Sequence, residues 1–427
     1  MKNEVTVSAL NRALEIRDYC NKLQLGYDRA PDCHFYVGPD SFRLSDNQLD
    51  IFVNQGELFR TWFEITLELC TRAYRDDSMS WLADLIEGES PDHVRQVHRQ
   101  VHLSGLLNIP LFARPDMSAI GASVEVQTPG SGWGYQTAIH NMVGKSRWTG
   151  PINGLKQAVK AMTGSHSTPS AYVLYNDPFF PEVEYFCRLC GEAGMQLQMH
   201  FKTLPSASEV KFVRRPPLED LLSYEGGSEL VQSWLDGQLV LEPGPSLLFD
   251  QKLAILFPFH PRLREFYPDS VRQLFPETYL VARDSRLVFN GKPLSLDELS
   301  SLSGSKRQFI LKYAGAKKGL RAGGKAVYNL SDCNHQKVRE LLVMALEDWE
   351  KHRSPWLIQK RVQQKYPIVF LDHVAEEIRE AQYYALFRPM YSFLPDEPSA
   401  IVAMTALFRK DWKVHGSSDA VTLPVEV

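Results

Sequence analysis

SAYVLYNDPFFPEVEYFCRLCGEAGMQLQMH, Ser170–His200, decides the fold class of this chain. Its first part, Ala171–Tyr175, is a short apolar run closed by Asn176-Asp177-Pro178. Short apolar runs bounded by turn residues are the pattern of a buried strand. Pro181 then opens a stretch in which Val183, Phe186, Cys187 and Cys190 fall on one helical stripe, with Gly191 and Gly194 as its stop. Met195–His200 alternates apolar and polar residues, as a second strand does. Strand, helix and strand in so short a stretch make a βαβ unit, whose two strands lie parallel. Cys187 and Cys190 form a C-x-x-C inside the helix, without the second pair or the histidines a zinc site wants, and read as buried apolar cysteines.

Working outward, Val5 to about Gly105 is helical in pattern: Leu49, Phe52, Val53 and Leu58, then Phe63, Leu67 and Cys70, recur at three-to-four spacing. Within SPDHVRQVHRQVHL, His98 and His102 stand one turn apart. HRQVH lacks the glutamate of an H-E-x-x-H protease, so the pair is expected on a polar helix face. From about Val240 strands and helices keep alternating. Ser331 or Asp332 is the expected cap of a helix striped by Val338, Leu341, Leu342, Ala345 and Trp349, and strands follow at WLIQKRV, EAQYYALF and AIVAMTALF. The fold class is α/β or α+β.

The chain has 427 residues, enough for about two to three domains. Lys+Arg 47 against Asp+Glu 51 leaves −4, which disfavours a dedicated nucleic-acid binder. Hydrophobic content of 44% and charged content of 23% are those of a globular protein. No apolar run reaches membrane-spanning length, and MKNEVTVSAL lacks the layout of a secretory signal. With six scattered cysteines, the expectation is a soluble, cytoplasmic protein that meets neither membrane nor nucleic acid.

Four constellations carry chemistry. In RPDMSAIGASVEVQTPGSGWG, Arg114 and Asp116 are two apart, and so are Glu125 and Gln127. On extended strands each pair shares a face, giving a guanidinium and oxygen ligands suited to Mg²⁺, or else a solvated strand face. The glycine-rich TPGSGWG lets backbone approach a ligand closely. In KRQFILKYAGAKKGLRAGGKAVY, seven basic residues and no acid lie between Lys306 and Lys325. FILK is a strand delivering Lys312, and Gly315, Gly319, Gly323 and Gly324 make a flexible basic loop that suits a triphosphate, or else is simply solvated. It is not a P-loop. Lys252 opens the apolar stretch of LLFDQKLAILFPFHPRLREFYP, and Gln359 in WLIQKRV could meet an adenine edge or be an ordinary sheet glutamine.

In chain order these pieces resemble a circularly permuted ATP-grasp ligase, most closely the synthetase part of glutathionylspermidine synthase. That family shows R-x-D, then E-x-N followed by T-P, and Arg114-Pro115-Asp116 and Glu125-Val126-Gln127-Thr128-Pro129 match it with Gln127 in place of asparagine. DQKLAILFPFHPRL resembles its lysine-led apolar helix, ILKYAGAKKGLRAGG its strand lysine and glycine loop, and WLIQKRV its adenine hinge. The closing stretch from Asp419 through Pro424 resembles the family's acidic, proline-containing end. The gap from Asp116 to Glu125 is shorter than in the family, and the glycine loop is longer and more basic.

The resemblance implies a helical N-terminal region over 1–105, metal-binding strands with a βαβ pre-grasp part over 106–245, and an ATP-binding part over 246–427 with a glycine-rich lid at 306–330. It implies ATP and Mg²⁺ as cofactors. Lys252, Lys312, Gln359 and the four loop glycines would hold the nucleotide, Asp116, Glu125 and Gln127 the metal, and Arg114 the acyl phosphate. The reaction implied joins a carboxylate to an amine with release of ADP and phosphate. Partners would be small-molecule or peptide substrates, or a carrier-bound one. A nucleotide-binding scaffold without catalysis, or a protein of the same fold that modifies a partner, is the alternative.

Overall fold

The computed structural model describes residues 2–25, 36–128, 132–143, 148–175, 177–289, 291–317, 326–362, 364–372, 374–414 and 420–426. The N-terminal stretch is helical, as its periodicity predicts: α1 (Lys2–Lys22), α2 (Asp46–Ala73), α3 (Ser80–Glu87) and α4 (Asp92–Ser104), with two short strands, β1 (Tyr36–Val37) and β2 (Phe42–Arg43). Ser45 starts α2 with a capping box: its hydroxyl accepts from the Gln48 amide while the Gln48 side chain accepts from the Ser45 amide. The α2 stripe of Leu49, Phe52, Phe59 and Phe63 is buried, and each such side chain contributes about 1.5–3 kcal/mol of transfer free energy. Val53, counted on that stripe from the sequence, is 45% exposed.

His98 and His102 correct a second expectation. Both are buried, not on a polar face: Ser246 Oγ bonds His102 Nε2 at 3.0 Å and His98 Nδ1 at 3.3 Å, and Thr71 bonds His102 Nδ1. Ser246 lies too far along the sequence for helix spacing to reveal it.

β3 (Phe112–Met117) and β4 (Ser123–Gln127) form a hairpin, followed by α5 (Trp133–Val143) and α6 (Pro151–Thr163). The βαβ unit is present as read, with β5 (Ser170–Leu174), α7 (Phe180–Glu192) and β6 (Leu197–Phe201). β5 and β6 pair in parallel, and β7 (Phe212–Arg214) and β8 (Val240–Glu242) extend the sheet in the order β6-β5-β7-β8. Cys187 and Cys190 are buried in α7.

Farther on, β9 (Thr278–Leu280) precedes a small hairpin, β10 (Leu287–Phe289) with β11 (Lys292–Leu294). β12 (Phe309–Tyr313), β13 (Val327–Asn329) and β14 (Trp356–Lys360) complete an antiparallel sheet in the order β13-β12-β14-β9. The helix His335–His352 between β13 and β14 is capped by Asn334, whose side chain accepts from the Lys337 amide. Ser331 and Asp332, the caps expected from sequence, fall in the preceding turn, Leu330–Asp332.

The last strands are β15 (Lys365–Asp372), β16 (Glu377–Ser392), β17 (Ala400–Arg409) and β18 (Val421–Glu426). Among the described residues they build the largest sheet, in the order β1-β18-β17-β16-β3-β4, with β15 added on β16 and β2 on β18. α2 packs on it through Phe52 against Phe387 and Phe59 against Tyr391. β4 is thus a sheet edge, and Lys312 of β12 reaches it by donating to the Val124 carbonyl at 2.5 Å. The candidate site lies at that meeting of two sheets.

Candidate functional site

The β3–β4 register sets Arg114 opposite Gln127 and Asp116 opposite Glu125. Facing residues of an antiparallel pair project to the same side, and so do residues two apart. The two pairs expected from sequence therefore share one face. An Arg114 guanidinium nitrogen donates to Gln127 Oε1 at 2.5 Å, and the Gln127 amide group lies 3.5 Å from Glu125 Oε1.

β16 lies on the other side of β3, with Phe387 opposite Met117 and Tyr391 opposite Ala113, which brings Arg388 beside Asp116. Arg388 grips both Asp116 oxygens, at 2.8 and 2.9 Å, with both side chains buried. Sequence reasoning missed Arg388. The one signal was a basic residue inside the otherwise apolar ALFRPMY.

Lys252 caps a 3-10 helix, Leu253–Phe259, and its amide donates to the Ala314 carbonyl just past β12. Its ammonium lies 3.2 Å from Glu125 Oε2. Lys312 donates to Gln359 Oε1 at 2.8 Å, and the Gln359 amide group donates to Thr278, opposite it on β9. The Gln359 side chain thus orients the lysine. Burial pushes the Lys312 pKa down to about 7, with Lys252 adding to the shift and Glu125 and Asp116 opposing it. Lys413, also missed from sequence, lies in this field: burial, Arg409 and Lys252 hold its pKa below the ordinary value.

Arg114, Asp116, Glu125, Gln127, Lys252, Lys312 and Gln359 therefore lie together at the meeting of the two sheets. Two carboxylates stand there against four basic groups, counting Arg388 with Arg114, Lys252 and Lys312, a balance that attracts a polyanion. Gly315 is buried, and a Cβ there would lie 2.4 Å from the Tyr313 hydroxyl, which accepts from the Lys317 amide and donates to Glu89. Gly319, Gly323 and Gly324 lie outside the described residues, as does Asp419.

Residues 129–131 of TPGSGWG lie outside the described residues. The close approach at its end is to the protein's own Glu182, whose carboxylate accepts from the amides of Gly132, Gly134 and Tyr135 at the start of α5. A Cβ on Gly134 would lie 1.9 Å from the Glu182 carbonyl oxygen.

The residues fit a hard cation in their chemistry. Asp116 and Glu125 face each other across the hairpin, and Gln127 adds an amide oxygen. A carboxylate offers about four lone-pair positions, so Asp116 can keep Arg388 and still coordinate. Among the described residues no group of three or more His, Cys, Asp or Glu side chains could hold a metal alone. Mg²⁺ is usually held by one or two carboxylates together with substrate phosphates.

No protein-family model matches the chain, and no curated protein matches it. Among solved structures it is similar to a glutathione synthetase-like effector, GSS30, of Globodera pallida in its apo form. The TM-score is 0.56 at 11% identity, and the match covers 97% of this chain and 96% of that one. The fold is glutathione synthetase-like. The likeness spans nearly the whole chain, and it is one of fold alone. No helix among the described residues is long and apolar enough to cross a membrane.

Proposed function

We propose that the chain is an ATP-dependent carboxylate–amine ligase of the ATP-grasp kind, permuted as in glutathionylspermidine synthase. The observation that carries this reading is the hairpin face of Arg114, Asp116, Glu125 and Gln127 meeting Lys252 and Lys312 across two sheets. ATP would lie between the sheets, with its phosphates against Lys252 and Lys312 and its base near β14. Asp116, Glu125 and Gln127 would hold Mg²⁺, which would supply charge neutralisation for the phosphates. Residues 1–105 would support the fold, 106–245 would face the substrates, and 246–427 would carry the nucleotide.

In this reading a carboxylate oxygen of the substrate attacks the γ-phosphorus, the β–γ bridging bond breaks and ADP leaves. Arg114 balances the charge on the acyl phosphate. The amine nitrogen then attacks the acyl carbon, phosphate leaves with the bonding electrons, and the ammonium so formed gives its proton to that phosphate. Phosphoryl transfer depends mainly on positioning and charge neutralisation, which is what two lysines and two arginines around one strand face provide. The substrates are small molecules or peptides, free or carrier-bound.

The test is phosphate release from ATP and Mg²⁺ against a panel of carboxylates and amines, singly and in pairs. Lys312→Ala and Glu125→Ala should each lower the turnover by at least about a hundredfold, the scale of lost transition-state electrostatics. Near-wild-type turnover in either variant would refute these roles.

A further inference from the structure

The turn between α3 and α4 reaches the neighbours of both candidate lysines. The Ile86 carbonyl accepts from the Gln251 side chain at 2.8 Å, one residue before Lys252. Glu89, three residues farther on, accepts from the Tyr313 hydroxyl, one residue after Lys312. It also accepts from the Ser354 hydroxyl, just ahead of β14. Gly88 permits this approach: its φ is +44°, and a Cβ there would lie 2.9 Å from the Arg353 carbonyl oxygen.

Consecutive residues of a strand project to opposite faces. Lys312 therefore enters the site, while Tyr313, buried behind it, turns toward Glu89. A tyrosine hydroxyl has one proton to give. Here that proton goes to Glu89, which leaves an oxygen lone pair to accept from the Lys317 amide at 3.0 Å. The residues between are pinned as well. The Ala314 amide donates to the Pro355 carbonyl at 2.9 Å, and the Ala314 carbonyl accepts from the Lys252 amide at 3.1 Å. Gly315 has no Cβ to fill the space that the Tyr313 hydroxyl occupies. Lys317 Nζ stands 4.0 Å from the Glu89 carboxylate. Burial raises the Glu89 pKa, and Ser354 and Lys317 oppose that shift.

We propose that Glu89 is a positioning residue of the site: by orienting the Tyr313 hydroxyl it holds Ala314–Lys317, and with them the backbone of Lys252, where an anion between the sheets needs them. Glu89 lies behind β12, on the side away from the Lys312 ammonium, so it acts through Tyr313 rather than by contact with a ligand. The helical region over 1–105 then does more than support the fold, because one of its turns sets the position of both lysines. That the anion is ATP rests on the ligase reading; the hold on Ala314–Lys317 does not.

Two measurements on the whole chain test this. The first follows amide hydrogen exchange at Ala314–Lys317 with no nucleotide present. Glu89→Ala should speed it at least about tenfold, the scale of one hydrogen bond to a charged group. Glu89→Gln should stay near the wild-type rate, because its amide oxygen can accept from Tyr313 and its amide nitrogen can donate to Ser354. The second is calorimetry with ATP and Mg²⁺. Glu89→Ala should weaken binding by a similar factor, and so should Tyr313→Phe, which removes only the hydroxyl. Both break one relay, so the double variant should bind no more weakly than either single one. Unchanged exchange in Glu89→Ala, a Glu89→Gln chain as impaired as Glu89→Ala, or losses that add in the double variant would overturn the proposal. Faster exchange with unchanged ATP affinity would also overturn it, since the segment would then be held without serving the site. Should Glu89→Ala fail to fold, Tyr313→Phe decides by the same two readouts. If the wild-type chain binds no ATP, the ligase reading falls and the exchange measurement alone decides the role of Glu89.

Discussion

If ATP binds as proposed, Lys312 makes that binding a proton-linked event. Its ammonium is held between two sheets with a pKa of about 7 against the ordinary 10.5. A bound triphosphate would set negative charge against it and return the pKa toward the ordinary value. At pH 8 a group with pKa 7 is about one-tenth protonated when free and fully protonated when so paired, so binding takes up about 0.9 proton, falling to about 0.5 at pH 7. The bound state holds the extra proton, so affinity weakens as pH rises, by close to tenfold per unit above pH 8. Calorimetry of ATP with Mg²⁺ at pH 8 in Tris and in HEPES, buffers of different ionisation enthalpy, reads the proton count directly. Lys312→Met should bind more weakly and show no such uptake. Identical binding enthalpies in the two buffers, or the same uptake in Lys312→Met, would refute this account of the lysine.

Three further outcomes follow from the packing. Arg388→Ala leaves Asp116 buried without its partner and should lower unfolding free energy by about 3–5 kcal/mol in denaturant titration; a loss below about 1 kcal/mol would show that the pair is not buried as described. His102 has its pKa held near 3 by burial, against 6.5 when unfolded. Because the folded value is the lower one, its contribution is present above pH 6.5 and is lost as pH falls, by about 2 kcal/mol at pH 5. His102→Gln should lose less stability than wild type between pH 7.5 and 5.0 by about that amount; parallel losses would contradict it. Gly134→Ala drives a methyl into the Glu182 backbone and should cost at least about 1–3 kcal/mol, read as a lower thermal midpoint, whereas an unchanged midpoint would show that α5 can shift.

The legible parts of the sequence are those carried by short-range pattern. The βαβ unit could be read because strand alternation, helix stripe and glycine stop all fall within Ser170–His200. Arg114, Asp116, Glu125 and Gln127 could be read because two-residue spacing fixes a shared face on any strand. What escaped depends on distant partners. Arg388 acquires its meaning only from Asp116, 272 residues away, and His98 and His102 only from Ser246. Glu182 was likewise invisible as the group that fills the glycine-rich turn, because it lies in another helix. Asn334 rather than Ser331 caps its helix because the intervening residues form a turn of their own, a choice that cap preferences alone do not make.

Isotope transfer tests the proposed ligase reaction. With an acid labelled with ¹⁸O in its carboxylate, an amine, ATP and Mg²⁺, the account predicts that ADP and phosphate appear only when both substrates are present. One labelled oxygen should pass from the acid to each phosphate released alongside an amide product. Amide formation without label in the phosphate, or phosphate release that needs no acid, would contradict it.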